Sequence, residues 1–176
     1  MESNARDRIM LDILQKGDDK LLKDQGVQVV HLQMVKEKQI YYGGESIGDS
    51  KRAAALVKEF LGDVDRECVV VCATDVRMKP THIQIVGMGA VNYCPVYIPE
   101  IFKMALLSNA VGILLFHNHP SGDCTPSNDD IYFTERVMKA GNVLGIRIID
   151  HIILGEGDDF YSLRESGSTL RWDSIG

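Results

Sequence analysis

Apolar and polar residues alternate along "VQVVHLQMV", which puts Val30, Leu32 and Met34 on one face, and "KEKQIYYGG" predicts the returning arm of a hairpin. Upstream, Ile9, Ile13 and Leu14 recur at helical spacing before Gly17, predicting a short amphipathic helix over residues 1–16. Residues 1–40 are therefore read as a helix and strand extension, and residues 41–176 as the main domain. Within that domain, Asp49 or Ser50 can cap "KRAAALVKEF", whose Ala54, Val57 and Leu61 share a face before Gly62 stops the helix. "ECVVVCA" and "THIQIVGMG" read as two strands joined by a turn, hence an antiparallel pair. Pro99 opens the helix "PEIFKMALLSNA" at a position where its missing N–H is harmless. The run "AVGILLF" predicts a fully buried strand that ends at His117. Ser127 then caps a helix with Phe133, Val137, Ala140 and Leu144 on one stripe, and the strand "IRIIDHIIL" follows. Strand, loop, helix and strand make a βαβ unit, with the loop at the carboxyl end of a buried strand, where open α/β sheets place their ligands.

Composition supports one α/β domain: the chain has 176 residues, 45% of them hydrophobic and 25% charged. Nineteen basic against twenty-five acidic side chains give a net charge of −6, which opposes binding along a phosphate backbone, so direct DNA contact is not expected. Cys68, Cys72, Cys94 and Cys124 form neither a dense disulfide framework nor paired CxxC knuckles. They are read as reduced thiols of a cytoplasmic protein. Asp7 and Asp12 interrupt any signal-peptide core, and no run approaches ~18 consecutive apolar residues, so no membrane association is expected.

The candidate chemistry is concentrated in "LLFHNHPSGDCTPSNDD". On an extended backbone His117 and His119 project to the same side and can reach one ion. Asp130, on the first turn of the following helix, supplies a third and anionic ligand if the loop folds back. Three protein ligands with one open position compose a catalytic zinc site, although two histidines and a carboxylate also suit iron. A plainer reading competes: Ser127-x-x-Asp130 is a capping box, in which Asp130 serves the helix start and no metal. The letters "HNH" do not indicate a nuclease, because nuclease motifs of that name spread their residues over a ββα unit. The deaminase pattern HxE…PCxxC and the protease pattern HExxH are both missing.

"HNHPSGDCTPSNDD" has the form H-x-H-x7-S-x2-D and resembles the JAMM (MPN+) metalloprotease signature, most closely as it stands in RadC-like JAB domain proteins. The resemblance runs from "IYYGG" to "SLRESG". It implies a three-layer α/β/α fold with a mixed sheet, similar to cytidine deaminases, and one zinc per chain held by His117, His119 and Asp130. It implies Ser127 as the donor to a developing oxyanion and Glu67, in "DREC", as general acid and base. The implied activity is hydrolysis of a peptide or isopeptide bond in a peptide or protein substrate. The rival implication comes from the family's association with DNA repair: a nucleic-acid or protein-binding module with little turnover. Two departures stand out. "YIPEIF" lacks the arginine of the family's "PRE", and the chain shows no N-terminal helix-hairpin-helix region. Asp150-His151 matches a family "DH", readable as a pair orienting a ligand histidine or, with slight preference, as a satisfied buried pair. His31 and His82 are read as surface or core histidines. The oligomeric state is not set by the sequence.

Overall fold

A computed structural model of the protein describes residues 26–89, 96–167 and 170–172. The chain divides into two units, Met1–Leu32 and Gln33–Gly176, and every helix and strand named below belongs to the second. The helix expected over residues 1–16 lies outside the described residues.

Three helices and five strands follow one another as α1 (Ser50–Leu61), β1 (Cys68–Thr74), β2 (Pro80–Met88), α2 (Ile98–Leu107), β3 (Gly112–Asn118), α3 (Asn128–Leu144), β4 (Arg147–Leu154) and β5 (Phe160–Ser162). The strands form a single sheet in the order β2-β1-β3-β4-β5. β3 and β4 run parallel, and the other neighbours pair antiparallel. The sheet is mixed, as expected, and the predicted βαβ unit is β3-α3-β4. The short edge strand β5 carries no sequence signal of its own.

Each helix boundary has a local cause. The Asp49 side chain accepts from the Arg52 amide to start α1, and Gly62, at φ 61°, ends it. Pro99 stands in the first turn of α2. Ser127 caps α3, and Gly145 closes it in the left-handed region.

Alternation along the central strands sorts their side chains into two cores. Val70, Cys72, Leu114, Phe116 and Ile152 pack with Ala53, Ala54 and Val57 of α1 on one face. Val69, Val71, Ile113, Leu115 and Ile148 pack with Ile101, Phe102 and Ala105 of α2 and Val137 of α3 on the other. The arrangement is a three-layer α/β/α sandwich. Each fully buried aliphatic or aromatic side chain contributes roughly 1.5–3 kcal/mol, and β3 holds four of them, two per face. That double anchorage fixes the strand from which His117 projects.

One expectation fails. The hairpin predicted from "VQVVHLQMV" and "KEKQIYYGG" does not form: residues 26–43 adopt neither strand nor helix, and Val27, Val29, Val30, Leu32 and Val35 are exposed. Alternation produces a strand only where a neighbouring ladder satisfies the backbone N–H and C=O groups, and no ladder among the described residues includes this stretch.

Candidate metal centre

β3 delivers His117 and the loop after it delivers His119. Asn118, between them, holds the sheet end in place: its side-chain oxygen accepts from the Cys68 amide at 2.8 Å and its nitrogen donates to the Arg66 carbonyl at 3.1 Å. The His119 amide donates to the Leu154 carbonyl at 3.1 Å, carrying the β3–β4 contact one residue further. The chain then turns at Gly122, whose φ of 82° suits glycine and whose carbonyl accepts from the Glu156 amide at 3.0 Å. This turn brings Ser127 and α3 back over the strand end.

His117 Nε2, His119 Nε2 and the Asp130 carboxylate converge there, with one ligand atom from each lying within 4.8 Å of the others. The two Nε2 atoms are 2.9 Å apart, and Asp130 Oδ1 is 3.2 Å from His117 Nε2. Asp130 Oδ2 is 3.7 Å from His119 Nε2. Ligands on a tetrahedral zinc at ~2.0–2.1 Å stand roughly 3.3 Å from one another, so these separations need to relax by only a few tenths of an ångström.

The donor set itself also fits a cation. His119 Nδ1 lies 2.6 Å from the Asp123 main-chain oxygen, which can only accept, so the proton of neutral His119 sits on Nδ1 and its Nε2 lone pair faces His117. A second nitrogen 2.9 Å away is favourable only when a proton or a metal ion lies between the two.

Asp130 closes the helix cap with Oδ2 and turns Oδ1 toward His117. Oδ2 accepts from the Ser127 amide at 2.7 Å and from the Ser127 hydroxyl at 2.6 Å, while the Asp130 amide donates back to Ser127 Oγ at 3.2 Å, completing the capping box. Oδ1 faces His117. Burial opposes ionisation of this carboxyl, but a His117 that carries a proton on Nε2, by its hydrogen bond and charge, together with the bonds from Ser127, outweighs it and holds Asp130 well below the usual carboxylate range.

Glu67 joins the cluster through strand register. Val69 pairs with His117, and Glu67 lies two residues before Val69, at the entry to β1. Its carboxyl is half-buried and lies within electrostatic reach of His117, His119 and Asp130. Burial pushes it up from its ordinary value, the two histidines pull it down, and Asp130 raises it. The net effect is upward, so this carboxyl keeps a proton more readily than an exposed glutamate.

His151 lies on β4 directly behind His117, with Nε2 2.8 Å from His117 Nδ1 and Nδ1 2.6 Å from Thr134 Oγ1. Burial drives its pKa well down. The expected Asp150-His151 pair is in fact split between the two faces of the sheet. Asp150 accepts from Ser50, Ser162 and the amides of His151 and Arg164, all away from His117, His119 and Asp130. Thr134, which sequence reasoning did not single out, is fully buried in the apolar stripe of α3. A lone threonine inside a helical stripe aimed at a histidine-bearing strand was the available signal. Cys68 and Cys72 are buried and Cys124 is partly exposed, all three as free thiols. His31 and His82 are exposed. No helix among the described residues is long and apolar enough to cross a membrane.

The RadC-like JAB domain profile matches residues 47–168, which include every residue of this cluster. A protein of Caldanaerobacter subterraneus named only as a UPF0758 protein is 40% identical over 112 residues, 64% of this chain and 48% of the relative. A UPF0758 protein of Clostridium kluyveri is 41% identical over 115 residues, 65% and 50% of the two chains. One from Methanosarcina barkeri is 37% identical over 102 residues, 58% and 44%. The chain thus spans about half the length of these relatives, whose names state no activity. With the profile covering well over half of its length, the chain belongs to the RadC-like JAB domain family.

Proposed function

We propose that the domain is a zinc-dependent metallohydrolase that cleaves a peptide or isopeptide bond. The observation that carries this reading is the convergence of His117 Nε2, His119 Nε2 and Asp130 Oδ1, with the Glu67 carboxyl within electrostatic reach of all three. Zinc held by these three ligands would polarise a substrate carbonyl and bring the pKa of its water toward ~7.

The chain's own residues account for the remaining steps. Glu67 accepts the proton of the attacking water and returns it to the leaving amine. The Ser127 hydroxyl swings from Asp130 Oδ2 to the carbonyl oxygen as charge develops there, and loss of one such donor typically costs ~10²–10³ in rate. A cleft of about 600 Å³ beside His119, between the end of α1 and the β4–β5 turn, gives an extended peptide room to approach. Lys58 Nζ braces one wall of it by donating to the carbonyls of Gly155, Gly157 and Asp159.

The test is a substrate-library digestion by zinc-supplied protein beside its Glu67→Gln variant, with metal content measured on both. One zinc per chain in each, and cleavage by the wild type alone, is the expected result. Equal cleavage by both removes Glu67 from the chemistry. An empty site in the wild type removes the metal, and leaves the protein-binding or nucleic-acid-binding reading in its place.

A further inference from the structure

Among the described residues, His151 is a fully buried imidazole that the proposed chemistry does not use. Both of its ring nitrogens have partners, and the direction of each hydrogen bond follows from the far end of the chain they form. Thr134 Oγ1 stands 2.6 Å from the main-chain oxygen of Asp130, four residues back on α3. That oxygen can only accept, so the threonine hydroxyl donates its single proton there and is left to accept from His151 Nδ1–H. His151 is neutral: it is wholly buried, and the neighbouring Asp150 points its carboxylate to the other face of the sheet. With its proton on Nδ1, its Nε2 carries a lone pair, and His117 Nδ1 must donate to it across 2.8 Å. The proton of neutral His117 is thereby fixed on Nδ1, and its Nε2 is left bare toward His119 and Asp130.

We infer that Thr134 and His151 are positioning residues, which lock His117 in the tautomer whose Nε2 lone pair faces the metal position. The relay closes on itself: the Asp130 carbonyl takes its last proton, and the Asp130 side chain stands among the ligands it serves. α3, β4 and β3 are tied together at the point where the ligands meet. A ligand histidine ordinarily passes its second N–H to a carboxylate, a carbonyl or water. Here a second histidine takes that place and hands the requirement on to a threonine. The inference rests on the metal-site reading for its purpose, but the tautomers can be tested without metal.

The experiment uses the full chain. Imidazole ¹⁵N spectra of metal-free protein assign the protonated nitrogen of His117 and His151, and chelator competition gives zinc affinity for wild type, Thr134→Val and Thr134→Ser. The expected result is Nδ1–H on both histidines of the wild type. Thr134→Val, which keeps the shape and loses the acceptor, mixes the His117 tautomers and weakens zinc by about 10–100-fold with the backbone spectrum otherwise preserved. Thr134→Ser restores both properties. An Nε2–H signal on His117 in the wild type overturns the inference by itself, even if the valine variant does not fold. So does a folded Thr134→Val protein with wild-type tautomers and affinity. A wild type that holds the Nδ1–H tautomers but takes no zinc rejects the metal reading and leaves the relay standing.

Discussion

Residues 150 and 151 are adjacent on β4 yet head two buried polar clusters with opposite characters. On the α1 face, the Asp150 carboxylate is surrounded by donors from Ser50, Ser162 and two main-chain amides. On the α3 face, His151 backs His117, and beyond it, with both imidazoles neutral, two nitrogen lone pairs and a carboxylate oxygen point at one another with no donor between them. The first cluster is closed, since every polar atom is satisfied within the protein, and it ties α1 and the chain after β5 to the sheet. The second sets acceptors against acceptors, an arrangement that a proton or a metal ion would complete. Burial and hydrogen bonding occur in both, so neither distinguishes a structural pin from a site. The balance of donors and acceptors does.

The two aspartates show the same contrast. Burial pushes Asp150 up in spite of the hydrogen bonds from Ser162 and the Arg164 amide, while at Asp130 a His117 that has taken a proton on Nε2 reverses the effect of burial and holds the carboxyl low.

The comparison can be broken at several points. The largest effect is expected at Glu67: Glu67→Gln should lower turnover by ~10²–10⁴-fold in a steady-state assay while zinc content stays at one per chain. Next comes Asp150→Ala, which strands the donors of the closed cluster. It should cost about 2–4 kcal/mol of unfolding free energy in denaturant titrations and leave zinc stoichiometry unchanged. If it abolished metal binding instead, the two clusters would not be separate. Zinc at a hundredfold excess over its Kd should add about 2.7 kcal/mol, and chelation should lower Tm by roughly 5–11 °C in calorimetry.

The smallest effects, on the order of 1 kcal/mol, are in pH dependence and carry opposite signs. The folded pKa of Asp130 lies below its unfolded value, so its contribution to metal-free stability is complete above the ordinary carboxylate range and fades as pH falls through the depressed value. The wild-type advantage over Asp130→Asn should therefore shrink in acid. The folded pKa of Asp150 lies above its unfolded value, so its contribution is complete below the ordinary range and is lost as pH rises through the raised value. The wild-type advantage over Asp150→Asn should shrink toward neutrality. Parallel slopes for the two variants would contradict the contrast drawn here.

Much of this was legible in the sequence because it is written in local patterns. The caps at Asp49, Ser127 and Gly62, the apolar run ending at His117 and the HxH spacing each occupy a few consecutive residues, and each stands where the pattern put it. The residues 27–44 show the reverse case, since alternation there met no pairing strand. What the sequence hid depends on pairing at a distance. Glu67 is named by the family resemblance and by no local pattern: it reaches the site because β1 lies beside β3, whereas local reading paired β1 with β2 alone. The extra residue Ile149 on β4, opposite the Ile113–Leu114 step of β3, shifts the β3–β4 register and sets which faces Asp150 and His151 take, and no residue-type rule announces it. Thr134 and Ser162 act through contacts across elements, and on their own they look like ordinary polar residues.

The central claim is that His117, His119 and Asp130 bind one metal ion through the atoms that already face one another. Anomalous diffraction from crystals of zinc-supplied protein tests it most directly. The account predicts a single strong peak per chain, within ~2.0–2.2 Å of His117 Nε2, His119 Nε2 and one Asp130 oxygen, with Glu67 unligated and His117 Nδ1 still against His151. A peak on other atoms, or no peak in protein that was given zinc, would contradict it.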